Sequence, residues 1–405
     1  MVVIAESLAE WAYAYEPGSG DLALARRSLL DTVAVTLAGR DHPVRALTAP
    51  LPDATRWAAV GHVLDFDDLH IESTTHISVV VVPAVLATGG DARAYLAGAG
   101  VMARLGGLLG WSHYAAGWHA TCTAGAPAAA VAAGIALGLG PRQLATAMAL
   151  ALPGAGGVQA AFGTHGKSLQ VGFAAEAGVR AARLAAAGAT ADPRALDAWL
   201  ELVGAESAGK GNGVDSGGPA VPGGLAVKMF PCCYAMQRPI AALHEIRAKC
   251  AARDVAQVRV TTPAATMHPL IHDRPATGLE GKFSMQYAVA TALLDDYPGF
   301  DAFTDAAVRR PEAQRLVTAV DVVRTGGGSG LLDGEATLRV TLTDGSVLHT
   351  ALTQPPGSPE RPPTDSELAD KFAACGNDVP DMLKDATWDS ARALLLAELP
   401  QEATR

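Results

Sequence analysis

Through most of the first 225 positions, apolar residues recur at helical spacing. The run Leu22-Ala23-Leu24-Ala25-Arg26-Arg27-Ser28-Leu29-Leu30-Asp31-Thr32-Val33-Ala34 predicts a helix that stops at Gly39. Segments 126–139, 141–152 and 174–187 repeat the theme, with Ala and Gly where helices would touch. Small side chains let helix axes approach closely, so a tightly packed bundle is expected. No fixed period recurs, which argues against a solenoid.

Segment 205–224 is rich in Gly, Ser and Pro and reads as a loop or boundary. Beyond it the texture changes. Residues 255–262, 336–342 and 346–352 alternate with period two, as half-buried strands do, and 319–324 is a fourth candidate strand. Thr343-Asp344-Gly345 between the 336–342 and 346–352 segments predicts a hairpin turn, because Asp-Gly accepts positive φ. Met285 to Asp295 is apolar at helical spacing, and the chain is helical again from Asp365. A small α+β domain is therefore expected after a large helical one, with the tail rejoining the first.

Composition narrows the function classes. The 405 residues are 49% hydrophobic and 18% charged, with a mean hydropathy of +0.20, which excludes intrinsic disorder. Lys+Arg 31 against Asp+Glu 41 leaves a formal charge of −10, opposite to the basic face that nucleic acid requires. The five cysteines (Cys122, Cys232, Cys233, Cys250, Cys375) are an odd count with no CxxC pair. That usage argues against a disulfide framework and a structural zinc site, and for a reducing cytoplasm. The N-terminus MVVIAESLAEW lacks a basic n-region, so no signal peptide is expected. The weakly polar stretch 124–140 is mostly Ala and Gly and reads as a buried helix, not a membrane span.

Four segments concentrate candidate chemistry. Asp65-Phe66-Asp67-Asp68-Leu69-His70, with Glu72 and His76 close behind, reads as a capped turn, as an aspartate cluster for Mg²⁺ and a diphosphate, or as Asp65 and His76 converging as acid and base. The Mg²⁺ reading wants a second acidic cluster, for which Asp295-Asp296 is available. His119 precedes the Ala-rich helix with Thr121 or Thr123 as N-cap, and a helix N-terminus favours neutral imidazole. The His113/His119 spacing does not match a zinc helix. In Gly163-Thr164-His165-Gly166-Lys167, the lysine sits at the entry to the 174–187 helix, where backbone and ammonium suit a carboxylate; a surface lysine is the bland alternative. No P-loop is present, and Gly209-Lys210-Gly211-Asn212-Gly213 follows no strand. Lys228-Met229-Phe230-Pro231-Cys232-Cys233, with Arg238 further on, places cations and thiols at the junction of the two textures, as an anion cleft would; the vicinal thiols read as packing more readily than as a redox pair.

Together these segments resemble the MmgE/PrpD family of 2-methylcitrate dehydratases, cis-aconitate decarboxylases and iminodisuccinate epimerases. The matching motifs are HVLDFDDLH (His62 to His70), THIS around His76, GWHATCTAG (Gly117 to Gly125), GTHGKSLQVGFAAEAGV (Gly163 to Val179), KMFPCCYA (Lys228 to Ala235) and TGLEGKFSMQYAVATALL (Thr277 to Leu294). The resemblance implies a mainly α fold: an all-α domain from 1–226 and 365–405, with an α+β lid at 227–364. It also implies a homodimer, an interdomain active site, and no cofactor or metal. Catalytic positions then fall on Asp65, His76, His119 and Lys167, and substrate-binding positions on Lys228, Cys233 and Tyr287, with Arg238 added from its place in the cleft. Departures from the family pattern are Leu69 where Thr is common, Leu169-Gln170 where Leu-His is common, and Gln237 where some members have His. The segment before Ala58 is also short for the family.

The expected chemistry is proton abstraction next to a carboxylate of a small di- or tricarboxylate. Lysines absorb the growing negative charge, His119 or His76 moves the proton, and Asp65 orients or charges the imidazole. Dehydration is the first expectation, and decarboxylation or epimerisation the runner-up. A Mg²⁺-dependent prenyl-type enzyme and a non-catalytic paralogue are the alternatives from other classes.

Overall fold

A computed structural model describes residues 3–206 and 217–402. The fold is mainly α, with one small mixed sheet. Among the described residues there are eighteen α-helices and four strands. None of these helices is long and apolar enough to cross a membrane. The glycine run at 209–213 and half of the expected boundary segment, 207–216, lie outside the described residues.

The helices that carry the site are Asp53–Val63, Ser78–Thr88, Ala92–Ala115, Ala120–Ala136 and His165–Ala186. The 120–136 helix is the hub: residues 120–134 are all buried, and it packs against the 92–115 and 165–186 helices. Close approach is what its alanines and glycines achieve. A Cβ at Gly178, on the 165–186 helix, would stand 2.4 Å from Ala129 Cβ and 2.6 Å from Ala130 N. Side chains larger than hydrogen would force these axes apart.

The strands are β1 (Val255–Pro263), β2 (Val320–Thr325), β3 (Ala336–Leu342) and β4 (Val347–Leu352), in the spatial order β2-β1-β3-β4. β1 pairs parallel to β2 and antiparallel to β3, and β3–β4 is the expected hairpin, with Gly345 at φ +88°. Helices Gln237–Ile246, Met285–Leu294 and Pro311–Ala319 pack against this sheet.

Two apolar clusters result. The larger draws on residues 5–225 and again on Cys375, Val379, Leu383, Ala391, Leu395 and Leu399. The smaller draws on residues 226–340 and takes in Leu69 and Phe162 from the first half of the chain. The functional site described next lies between them.

Candidate active site

The site begins with a loop. After the 53–63 helix the chain runs through Leu64, Asp65, Phe66, Asp67 and Asp68, and Asp65 takes a left-handed φ of +54°. Aspartate tolerates that region better than most residues, but the conformation still needs support. Support comes from three buried lysines on three consecutive carbonyls. Lys282 Nζ donates to Leu64 O at 2.8 Å, Lys228 Nζ to Asp65 O at 2.9 Å and Lys371 Nζ to Phe66 O at 2.9 Å. Each lysine comes from a different part of the chain, and Lys371 lies on the Asp365–Ala374 helix.

The three aspartates then diverge. Asp65 Oδ1 meets Lys167 Nζ at 2.7 Å and Lys228 Nζ at 3.1 Å. Asp67 Oδ2 lies 2.9 Å from both His62 Nδ1 and His76 Nδ1. Asp68 accepts from the Ser78 backbone N–H at 3.2 Å. The expectation that Asp65 orients an imidazole is therefore corrected: Asp67 does so, and Asp65 faces the ammonium groups. Asp295 and Asp296, the second acidic cluster of the Mg²⁺ reading, pair with Arg310 and Arg247.

Two further expectations change in detail. His119 is itself the N-cap of the 120–136 helix. Thr121 Oγ instead accepts from His76 N at 3.0 Å, and Thr123 Oγ bonds His113 Nε2 at 2.9 Å. The helix bearing Lys167 starts at His165, capped by Thr164, so Lys167 stands in its first turn and is 5% exposed. Its Nζ also meets His62 Nε2 at 2.6 Å.

A small cavity opens onto this cluster. Asp65, His76, His119, Lys167 and Cys233 line its polar side, and Leu69, Phe162, Phe283 and Leu331 its apolar side, with Thr74, Tyr114 and Tyr234 completing the wall. Lys228 reaches the cluster from behind Asp65. Arg238 and Tyr287 do not join it. The Arg238 guanidinium, fully buried, donates to the carbonyls of Leu332 and Gly334 and to Thr266 Oγ, and so ties the sheet region together. Tyr287 donates its hydroxyl to Ala302 O. Their assignment to substrate binding is corrected accordingly. Gln237 also proves structural: its Oε1 accepts from Met229 N and Phe230 N, and its Nε2 donates to Phe230 O, which shapes the loop that bears Lys228 and Cys233.

Electrostatics follows from this geometry. Burial by itself would raise the Asp65 carboxyl, but the Lys167 and Lys228 ammoniums hold it well below the usual carboxylate range. Burial opposes Asp67 in the same way, and His62 and His76 pull it down. Burial lowers His76 to about 3 against the attraction of Asp67, and it lowers His119 strongly, with Lys167 adding to the effect. Both rings are therefore neutral at pH 7. Burial brings Lys282 down to about 8 and pushes the Cys233 thiol up to about 12. The donor atoms of His62, Asp67 and His76 lie within 4.8 Å of one another, close enough to be considered for a metal. His62 Nδ1 is already hydrogen-bonded to Asp67, however, and the Lys167 ammonium against His62 Nε2 opposes a dication there.

Three of these groups were not singled out from the sequence: His62, Asp67 and Lys282. Each stands inside a motif quoted whole, and a loop has no period to say where each side chain points.

Family models match residues 44–199 as the MmgE/PrpD N-terminal domain and residues 230–393 as the MmgE/PrpD C-terminal domain. The chain is similar to cis-aconitate decarboxylase from Aspergillus terreus, 26% identical over 379 residues that cover 82% of this chain and 76% of the fungal one. It is likewise similar to the cis-aconitate decarboxylase-like protein oryM from Aspergillus oryzae, 25% identical over 357 residues, covering 78% and 74%. Both domains of the family are thus present, in order and over most of the sequence, and this chain belongs to the MmgE/PrpD family.

Proposed function

We propose that the chain is a lyase that moves a proton at the carbon next to a carboxylate of a small di- or tricarboxylate. The observation that carries this reading is the meeting of Asp67-held His76 with the Lys167–Asp65–Lys228 cluster at one cavity. In this reading His76 Nε2 takes the α-proton, and Asp67 at Nδ1 stabilises the imidazolium that forms. Lys167 and Lys228 hold a substrate carboxylate and absorb enolate charge in a pocket shielded from water. The net charge of −10 does not oppose an anionic substrate, since local potential governs binding. Asp65 keeps the two ammoniums together, and Leu69, Phe162 and Phe283 accept the uncharged part of the substrate.

Loss of a β-hydroxyl, protonated by Lys167, then completes a dehydration. Because His76 is neutral at pH 7, it is free to serve as the base that dehydration requires. Decarboxylation is the second reading, and the names of the Aspergillus relatives favour it. The active assembly is proposed to be a cytoplasmic homodimer with the domain division 1–226 plus 365–405 and 227–364.

Incubation with hydroxylated and unsaturated di- and tricarboxylates in D₂O, followed by proton NMR, separates the outcomes. Water loss with α-deuteration supports dehydration, and CO₂ release supports the second reading. Absence of both, and of α-exchange, across the panel overturns the proposal. His76→Ala and Lys167→Ala are each expected to lower turnover by at least ~100-fold, the usual worth of a positioned acid–base group.

A further inference from the structure

His119 is held by an unusually explicit set of partners. Gln170 Nε2 lies 2.8 Å from its Nδ1. The orientation of that amide is not arbitrary, because the backbone of Val158 grips it at both ends. Val158 N donates to Gln170 Oε1 at 3.1 Å, and Gln170 Nε2 donates to Val158 O at 3.2 Å. A flipped amide would set donor against donor and acceptor against acceptor, so the second Nε2 hydrogen must point at His119 Nδ1. A second donor reaches the same nitrogen: Cys122 Sγ lies 3.3 Å away, and burial raises its thiol far enough to keep it S–H. Gly157 makes room for the arrangement. It takes φ +129°, and a Cβ there would stand 2.9 Å from Cys122 Cβ and 3.2 Å from Gln170 Cδ.

An imidazole nitrogen that receives hydrogens from two donors carries none itself. We infer that Gln170, anchored by Val158, locks His119 as the Nε2–H tautomer, so that His119 meets substrate as a hydrogen-bond donor and not as the base. His119 Nε2 is buried and has no partner among the described residues, on a ring that lines the cavity. That unpaired donor is where a substrate oxygen fits, and a neutral N–H aimed at a developing enolate oxygen stabilises it without losing its proton. Proton transfer then falls to His76, whose Nδ1 lies 2.9 Å from Asp67 Oδ2, a neighbour of the opposite sense to Gln170. The two histidines of one cavity are thus given complementary tautomers by two different neighbours. Gln170 is a positioning residue, and its catalytic consequence rests on the lyase reading above; the tautomer itself does not.

The test is a long-range ¹H–¹⁵N correlation spectrum of the ¹⁵N-histidine-labelled full chain, with His119 assigned from the spectrum of His119→Gln. A protonated Nε2 and a bare Nδ1 are expected in the wild-type protein. In Gln170→Glu, an acceptor replaces the donor, so the proton should move to Nδ1. Turnover should then fall by ~100-fold or more, the scale of a lost oxyanion donor. Gln170→Leu should leave mixed tautomers and a smaller loss. A wild-type His119 with Nδ1 protonated overturns the inference whatever the activity, and needs no variant to fold. The expected tautomer without turnover of any carboxylate leaves the lock standing and removes the lyase reading instead.

Discussion

Asp68 shows how far one buried side chain can depart from its neighbours in the same four-residue stretch. Burial, reinforced by Asp31 nearby, raises its carboxyl to about 7, whereas Asp65 is pulled down by lysines and Asp67 by His62 and His76. Between pH 3.8 and about 7 the unfolded chain ionises this group and the native chain does not. The native state therefore binds more protons in that window, and this group's contribution to stability falls as pH rises, by about 1.4 kcal/mol per pH unit. Asp68→Asn imitates the protonated form. Its melting temperature relative to wild type should rise from pH 4 to pH 7 and level off above that; an unchanging difference would contradict the raised carboxyl. The buried histidines act in the opposite sense. His76, at about 3 in the native state against 6.5 free, contributes stability that is complete above pH 6.5 and is lost as pH falls towards 3. At this scale the sequence showed which residue types cluster, and Asp65, His76, His119, Lys167 and Cys233 do line one cavity. Which aspartate faces which partner was not legible, because successive side chains in an irregular loop follow no period. Arg238 looked like an anion binder from its charge alone, yet three backbone carbonyls within reach claim it.

Helices and strands were easier to read than the side chains on them. β1, β3 and β4 appeared within a residue or so of their true ends, since period-two alternation survives wherever one face of a sheet is buried. The 165–186 helix began nine residues before its expected start at 174. Gly163, Gly166 and Gly172 obscured it, although Thr164 was available as a cap signal. Gly172 is there because a Cβ would stand 2.6 Å from Thr55 O, a packing reason invisible from sequence. The same logic predicts the effect of filling such a contact. Gly178→Val inserts three carbons where Ala126 O, Ala129 and Ala130 already touch, and should destabilise by about 1–3 kcal/mol or more through overpacking. Urea denaturation would register this as a lower midpoint, and an unaltered midpoint would show that the helices have slack.

Across the whole molecule, the two apolar clusters meet at the 64–68 loop, and the tail closes on it. Lys371 Nζ pairs with Asp31 Oδ1 at 2.6 Å and lies 4.3 Å from the centre of the Phe66 ring as it caps the Phe66 carbonyl. Lys371→Met would strand a buried carboxylate and should cost about 3–5 kcal/mol, whereas Asp31→Asn combined with Lys371→Met should recover part of that loss. Chemical denaturation of the three proteins measures both effects, and equal stability of the single variant and wild type would remove the tail from this role. The mainly α class was readable from periodicity, and so was the helical character of the tail. The grip of residue 371 on residue 66 was not, because a lysine in an amphipathic helix looks the same whether it meets water or a distant carbonyl.

The spacing of that last grip has a consequence for how the protein comes into being. The loop that presents Asp65 is translated before its final ammonium, which arrives 305 residues later. A nascent chain made only as far as Leu331 would hold every side chain of the hollow and still lack the clasp that sets the loop, so the loop would set only once Lys371 has followed. A protease that severed the tail would reverse that step, silencing the pocket without touching its walls.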